Sequence, residues 1–240
     1  MSTNGPILQL TDVHTYYGDS YVLQGVSLEV EEGSVVALMG RNGTGKTTVI
    51  NSVIGFVHAS QGTIRFRGMD ITRTAPDRIA RMGIGLVPQG RRIFPSLSVK
   101  ENLVIAARKG SRRKVRWDLD AVLSVFPALK ERLNSRGHTL SGGELQMLAI
   151  ARALMTNPTL LLLDEASDGL SPVAMLEVMR VVGHLRQEEG LSVLLVAQNP
   201  KLALDLSDYV YVMSKGKVAH ASKPGDLVGN PDVMAKYLGL

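Results

Sequence analysis

Residues 35–48 read VVALMGRNGTGKTT. The first five are uniformly apolar, the mark of a strand covered on both faces. The next nine, 40–48, place glycines at 40, 43 and 45 and then Lys46, Thr47 and Thr48. This fits the spacing G-x-x-x-x-G-K-[ST], and each residue type has a reason. Backbone N–H groups must converge on phosphate oxygens, and side chains at Gly43 and Gly45 would block that approach. A helix expected over 46–55, closed by Gly55, points the positive end of its dipole at the same anion. The Lys46 ammonium reaches the β- and γ-phosphates, and the Thr47 hydroxyl is offered to Mg²⁺. A plain glycine turn between strand and helix would not ask for Lys-Thr there. The stretch therefore predicts a triphosphate cradle built from Gly40, Asn42, Gly43, Thr44, Gly45, Lys46, Thr47 and Thr48.

Outward from that loop, strand-like and helix-like segments alternate, which predicts an α/β domain with a largely parallel sheet. Residues 7–17 and 22–30 alternate enough to be antiparallel strands, and 63–68 is another strand ending in a turn. From about 76 to 155 the pattern is helical, punctuated at Pro88, Gly90, Pro95 and Pro127. This predicts a helical subdomain inserted at about 88–157 into a single 1–240 domain. Strands are expected at 159–165, 191–198 and 209–214, with helices at 172–187 and 201–207.

The 240 residues suit one large domain with a sizeable core. The absence of cysteine excludes disulfides and thiolate metal sites. No apolar run approaches the ~18–20 residues of a membrane span, and the start MSTNGPILQL does not read as a secretory signal. A cytoplasmic chain that does not itself cross a bilayer is expected. Net charge is +5, with a local basic run from Arg108 to Arg116. A solvated linker is favoured there over a nucleic-acid or anionic-lipid patch, since no aromatic residues are interleaved for base stacking. Nucleic acid is not an expected partner.

Residues 159–165, TLLLLDE, deliver Asp164 and Glu165 at the end of an apolar strand, where open α/β sheets place ligands. Asp164 would hold Mg²⁺, and Glu165 would orient and polarise the attacking water.

Residues 140–144 read LSGGE, followed by LQMLAIARALM. This resembles the signature motif of ATP-binding cassette (ABC) ATPases. The order of phosphate loop, Gln89 in GLVPQG, LSGGE and LLLLDE matches that family across essentially the whole chain. The resemblance implies a P-loop NTPase ABC ATPase core with an antiparallel β subdomain and an inserted helical subdomain. It implies that Tyr17 in HTYYG, rather than Tyr16, stacks on adenine, and that Gln89 contacts Mg²⁺ and the water. Ser141, Gly142 and Gly143 would close on the γ-phosphate of an opposite protomer. Ser141 with Glu144 also reads as a helix capping box, and both readings can hold at once.

The resemblance further implies a homodimer, or a heterodimer with a second ABC ATPase subunit, with each ATP between Lys46 of one subunit and Ser141 of another. Separate integral-membrane permease subunits would dock around Gln89, Arg91, Arg92 and Phe94, and a solute-binding protein would act indirectly. The protein would sit on the cytoplasmic face of the inner membrane. The stretches at 87–103, 146–155, 194–199 and 234–240 look closest to ATPase subunits of branched-chain amino acid, amide or urea importers. The alternatives are a lipid or lipopolysaccharide exporter ATPase, a non-transport ABC ATPase, or a weakly active partner subunit. Two departures bear on the last. Gln198 stands where the family usually has a γ-phosphate histidine, and Asp168 puts a carboxylate in a loop that normally crosses the dimer interface.

Overall fold

The computed structural model describes residues 5–107 and 116–239. The basic run lies almost wholly outside the described residues.

Two sheets organise the chain. The first is antiparallel and uses β1 (Leu8–Tyr17) and β2 (Ser20–Val30), then, beyond β3 (Val35–Met39) and α1 (Lys46–Ile54), β4 (Gln61–Phe66) and β5 (Met69–Asp70), in the order β2-β1-β4-β5. In β1 the buried residues Leu10 and Val13 are three apart, which strict alternation forbids. The register shifts between them, and Asp12 turns left-handed at φ 49°, so a bulge resets which face points inward.

The second sheet adds β6 (Ile84–Val87), which follows α2 (Pro76–Met82). Then come α3 (Val99–Val104), α4 (Leu119–Val125), α5 (Pro127–Glu131) and α6 (Gly142–Leu154). The chain returns through β7 (Leu160–Asp164), α7 (Pro172–Gln187), β8 (Ser192–Ala197), α8 (Pro200–Leu206), β9 (Tyr209–Ser214) and β10 (Lys217–Ser222). Short helices α9 (Pro224–Val228) and α10 (Pro231–Val233) follow. The order is β10-β9-β3-β8-β7-β6, parallel except for β10.

β3, β7 and β8 are buried at every residue because both faces of this sheet are covered. Alternate residues divide between two cores. Val35, Ala37 and Met39 pack into the helical layer of α6, α7 and α8, while Val36 and Leu38 face α1 and the antiparallel sheet. Helix α7 buries Val178, Val181, Val182 and Leu185, a single stripe at helical spacing. Each such side chain contributes roughly 2 kcal/mol of burial.

The stretch 76–155, expected to be helical in pattern with breaks at Pro88, Gly90, Pro95 and Pro127, contains the strand β6 in a segment left unassigned. Four residues are too few to show a period, and IGLV is enclosed by Gly83 and Pro88. Helix α2 packs on β6 and α1. Strand β10, which the sequence reading left unassigned, pairs back on β9 through a turn at Lys215–Gly216. No helix among the described residues is long and apolar enough to cross a membrane.

Candidate active site

Four segments leave the carboxyl ends of adjacent parallel strands: residue 40 after β3, Gln89 after β6, Asp164 and Glu165 at β7, and Gln198 after β8. An open α/β sheet forms its ligand crevice along that edge. Here the crevice is a cleft of about 310 Å³. It is lined by Asn42, Gly43, Gly45 and residues 46–48, and by Gln89, Glu165 and Gln198. Val22 of β2 also faces it, a residue the sequence reading missed because an apolar side chain in a strand carries no motif.

The loop between β3 and α1 is held from behind. Gly40 has φ 144°, and a Cβ there would lie 2.5 Å from the Met213 carbonyl oxygen on β9. Gly45 has φ 103°, and its Cβ would meet Leu23 Cδ2 at 2.9 Å. Both glycines let the loop lie against neighbouring strands. A Cβ at Gly45 would point at β2, which adds a packing reason for glycine there to the open backbone that a phosphate cradle asks for. Thr44 Oγ1 donates to the Arg41 carbonyl at 2.9 Å.

Lys46 is 4% exposed. Its Nζ donates to the Gly40 and Arg41 carbonyls at 2.8 and 3.1 Å, two of the three hydrogen bonds an ammonium can make. Burial pushes its pKa down, and the Glu165 and Asp164 carboxylates partly restore it. Thr47 Oγ1 donates to Asp164 Oδ1 at 3.3 Å, and Asp164 is also 4% exposed. Burial first, then the Glu165 charge, raise the Asp164 pKa to about 6, against the opposing pull of Thr47 and Lys46.

That shift sets a pH dependence. The unfolded carboxyl titrates near 3.8 and the folded one near 6, so the folded chain holds this proton more tightly. Ionising Asp164 between those values costs folded-state stability, and the cost is complete above the higher one. The melting temperature of Asp164→Asn, relative to the nucleotide-free wild type, is expected to rise by on the order of 5 °C between about pH 4 and pH 7. A flat difference across that range would count against a buried carboxylate only partly compensated by Thr47 and Lys46.

Glu165 sits at φ 52°, where the chain turns off β7. Both carboxylate oxygens are engaged: Gln89 Nε2 donates to Oε2 and Gln198 Nε2 to Oε1, each at 2.6 Å. Each amide takes one oxygen of the carboxylate.

Other expected residues lie outside the cleft. Tyr17 is 44% exposed, and its hydroxyl accepts from Asn51 Nδ2 at 3.2 Å, one turn along α1 from Thr47. Tyr16 instead stacks on Tyr21, with ring centres 4.5 Å apart. Ser141 caps α6 in a reciprocal box: Glu144 N donates to Ser141 Oγ at 3.2 Å, and Ser141 N to Glu144 Oε2 at 2.7 Å. Ser141, Gly142 and Gly143 do not line the cleft that Lys46 lines. A Cβ on Gly143 would lie 2.9 Å from Ala174 Cβ, so α6 and α7 meet closely there. Among the described residues the Asp168 carboxylate forms no ion pair, while its backbone carbonyl accepts from Arg91 Nη2 at 3.4 Å.

A second concavity, a groove of about 550 Å³, lies between α2 and α6. Phe56, Pro76, Leu86, Arg92, Phe94 and Ile105 are among its lining residues, and Phe56 and Ile105 are 59% and 63% exposed. Of the four residues expected to form a docking surface, Arg92 and Phe94 line this groove. Gln89 turns to the cleft, and Arg91 turns toward Gly142 and Asp168.

Residues 23–168 match the protein family described as ABC transporter. The chain is 42% identical to the high-affinity branched-chain amino acid transport ATP-binding protein BraG of Pseudomonas aeruginosa, over 97% of this chain and 100% of that one. It is 34% identical to the lipopolysaccharide export system ATP-binding protein LptB of Acidithiobacillus ferridurans, over 97% of each. Its fold superposes on the ADP conformation of an ATP-binding cassette from an ABC transporter with a TM-score of 0.83 and 26% identity, covering 95% of this chain and 97% of that one.

Proposed function

The chain belongs to the ABC transporter family, as an ATP-hydrolysing subunit, and from that membership we propose that it energises a multi-subunit importer for branched-chain amino acids or related small amides. The observation that carries the catalytic part is the Glu165 carboxylate, gripped by two amides and lining one cleft with Lys46 and Thr47. The higher identity to BraG than to LptB favours import of amino acids over lipopolysaccharide export.

The residues would act as follows. Backbone N–H groups at the start of α1 and the Lys46 ammonium bind the phosphate chain of ATP. Thr47 and Asp164 suit Mg²⁺, since both are hard oxygen donors and the buried carboxylate lacks a full counter-charge. No group of three or more His, Cys, Asp or Glu among the described residues could hold a metal alone, which suits an ion shared with substrate phosphates. When bound, Mg²⁺ neutralises charge developing on the phosphate oxygens. Glu165 orients a water and takes its proton as that water attacks the γ-phosphorus and ADP leaves. Gln89 and Gln198 hold the carboxylate in line. The amide at 198 supplies a fixed donor where an imidazole would also titrate, so the substitution is compatible with a working site. Tyr17 would contact adenine.

Ser141, Gly142 and Gly143, set away from their own cleft, would serve the nucleotide of a second subunit, which makes a homodimer or heterodimer the working unit. The apolar groove would receive a short helix of a membrane permease, holding the protein on the cytoplasmic face of the membrane. The test is reconstitution with the co-purifying membrane chains in liposomes. ATP turnover stimulated severalfold by leucine and its binding protein is expected. Stimulation by lipopolysaccharide or nucleic acid instead, with none by amino acids, overturns the assignment.

A further inference from the structure

Residues 88–94 connect the cleft to the groove. At one end Gln89 donates to Glu165. At the other, the Phe94 N–H donates to Asn102 Oδ1 at 2.9 Å and its carbonyl accepts from Asn102 Nδ2 at 3.0 Å, with Asn102 fully buried. Between these anchors the backbone is left-handed at three consecutive residues: Gly90, Arg91 and Arg92, at φ 76°, 65° and 43°. The Arg92 N–H donates to the Gly90 carbonyl at 2.6 Å, a bond from i+2 to i around Arg91. A turn of that kind with a positive central φ is the strained sense of the γ-turn. Neither arginine has glycine's freedom there, and such conformations persist only where the surroundings over-determine them.

The side chain that meets this turn is Arg152, on α6. Its Nη2 donates to the Arg92 carbonyl at 2.6 Å and to the Arg91 carbonyl at 3.4 Å. Its guanidinium carbon lies 5.5 Å from the centre of the Phe94 ring. Burial pushes its pKa down from the usual arginine range, as expected for a cation set into the fold. Arg152 does not line the ATP cleft.

We propose that Arg152 is a positioning residue for ATP hydrolysis: it holds the 90–92 turn in its strained form, and that turn sets Gln89 against Glu165. The proposal rests on Glu165 acting as the proton acceptor. Without the guanidinium the turn relaxes toward ordinary φ, and Gln89 moves by the length of the relaxation. A displacement of about 1 Å in a catalytic constellation costs on the order of 10²-fold in rate, and partial relaxation less. The phosphate loop is untouched, so ATP binding stays.

Steady-state kinetics with Mg-ATP test this. Arg152→Ala is expected to lower kcat by roughly 10-fold or more while KM stays within about 2-fold. Arg152→Lys, which can reach one carbonyl but lacks the planar fork and stacking face, is expected to fall between. Because Arg152 acts through Gln89, the double variant Arg152→Ala/Gln89→Ala should be no slower than Gln89→Ala alone. If Arg152→Ala does not fold by circular dichroism, Arg152→Lys with Gln89→Ala completes the same cycle. An unchanged kcat, a parallel rise in KM, or losses that multiply in the double variant each overturn the proposal. Failure of the underlying assignment looks different: Glu165→Gln and Gln89→Ala would then keep full turnover.

Discussion

Lys46→Ala is expected to weaken Mg-ATP binding by about two orders of magnitude and to abolish measurable hydrolysis. The ammonium is the cation placed at the mouth of α1, and charge-assisted hydrogen bonds to phosphate are worth roughly 1.5–3 kcal/mol each. The side chain is buried at a cost, seen in its lowered pKa. Removing it relieves that cost while leaving the Gly40 and Arg41 carbonyls without their donor, and these effects oppose each other. The nucleotide-free variant should therefore melt near the wild type. The contrast appears on adding ligand. At ATP of 100 times the wild-type dissociation constant, binding stabilises the wild type by about 2.7 kcal/mol. A variant binding 100-fold more weakly gains only about 0.4 kcal/mol at that concentration. Thermal melts with and without Mg-ATP read the difference directly, as a shift of several degrees that is nearly lost. An undiminished shift in Lys46→Ala would remove the phosphate-cradle assignment and the catalytic scheme built on it.

Glu165→Gln should lower kcat by on the order of 10²–10⁴-fold, the usual worth of general-base catalysis, while ATP still binds. The new amide is isosteric, so the fold should hold. One of its positions becomes a donor facing the amide of Gln89 or Gln198, a mismatch that a flip of that neighbouring side chain resolves. Loss of a negative charge near the γ-phosphate should tighten ATP binding severalfold. With ATP bound and turnover blocked, two copies should stay closed on each other, since Ser141 lies outside its own cleft. Size-exclusion chromatography with Mg-ATP then shows a dimer where the wild type shows monomer. Wild-type turnover in the variant would refute the proton-acceptor role. A variant that loses turnover yet remains monomeric with bound ATP would keep that role and refute the shared site.

The legible parts of the sequence were those whose signal is local. VVALM before a glycine-rich loop reads as strand, loop and helix because burial on both faces and a positive φ leave compositional marks. The stripe of α7 and the Ser141–Glu144 box are equally visible, since period and capping are set within a few residues. Strand β6 was hidden because four residues between Gly83 and Pro88 carry no period, and with it the physical reason for the position of Gln89. The bulge in β1 was invisible because its marks are scattered single residues: Asp12 at a left-handed φ, and Gly62 on β4, where a Cβ would lie 2.1 Å from the Asp12 carbonyl oxygen.

The sequence by itself pointed to the family, to the core strands and to the residues from which a phosphate-binding cleft was expected: the glycine-rich loop, Lys46, Thr47, Asp164 and Glu165. These depend on residue type at fixed short spacing. Only the tertiary structure decided that Gln89 and Gln198, 76 and 33 residues from Glu165 along the chain, each take one oxygen of its carboxylate. Only it decided that Arg152 donates to the carbonyls of the turn beside Gln89. The order of parallel strands brings those distant ends to one edge, and strand order is a property of packing that no short stretch of sequence encodes.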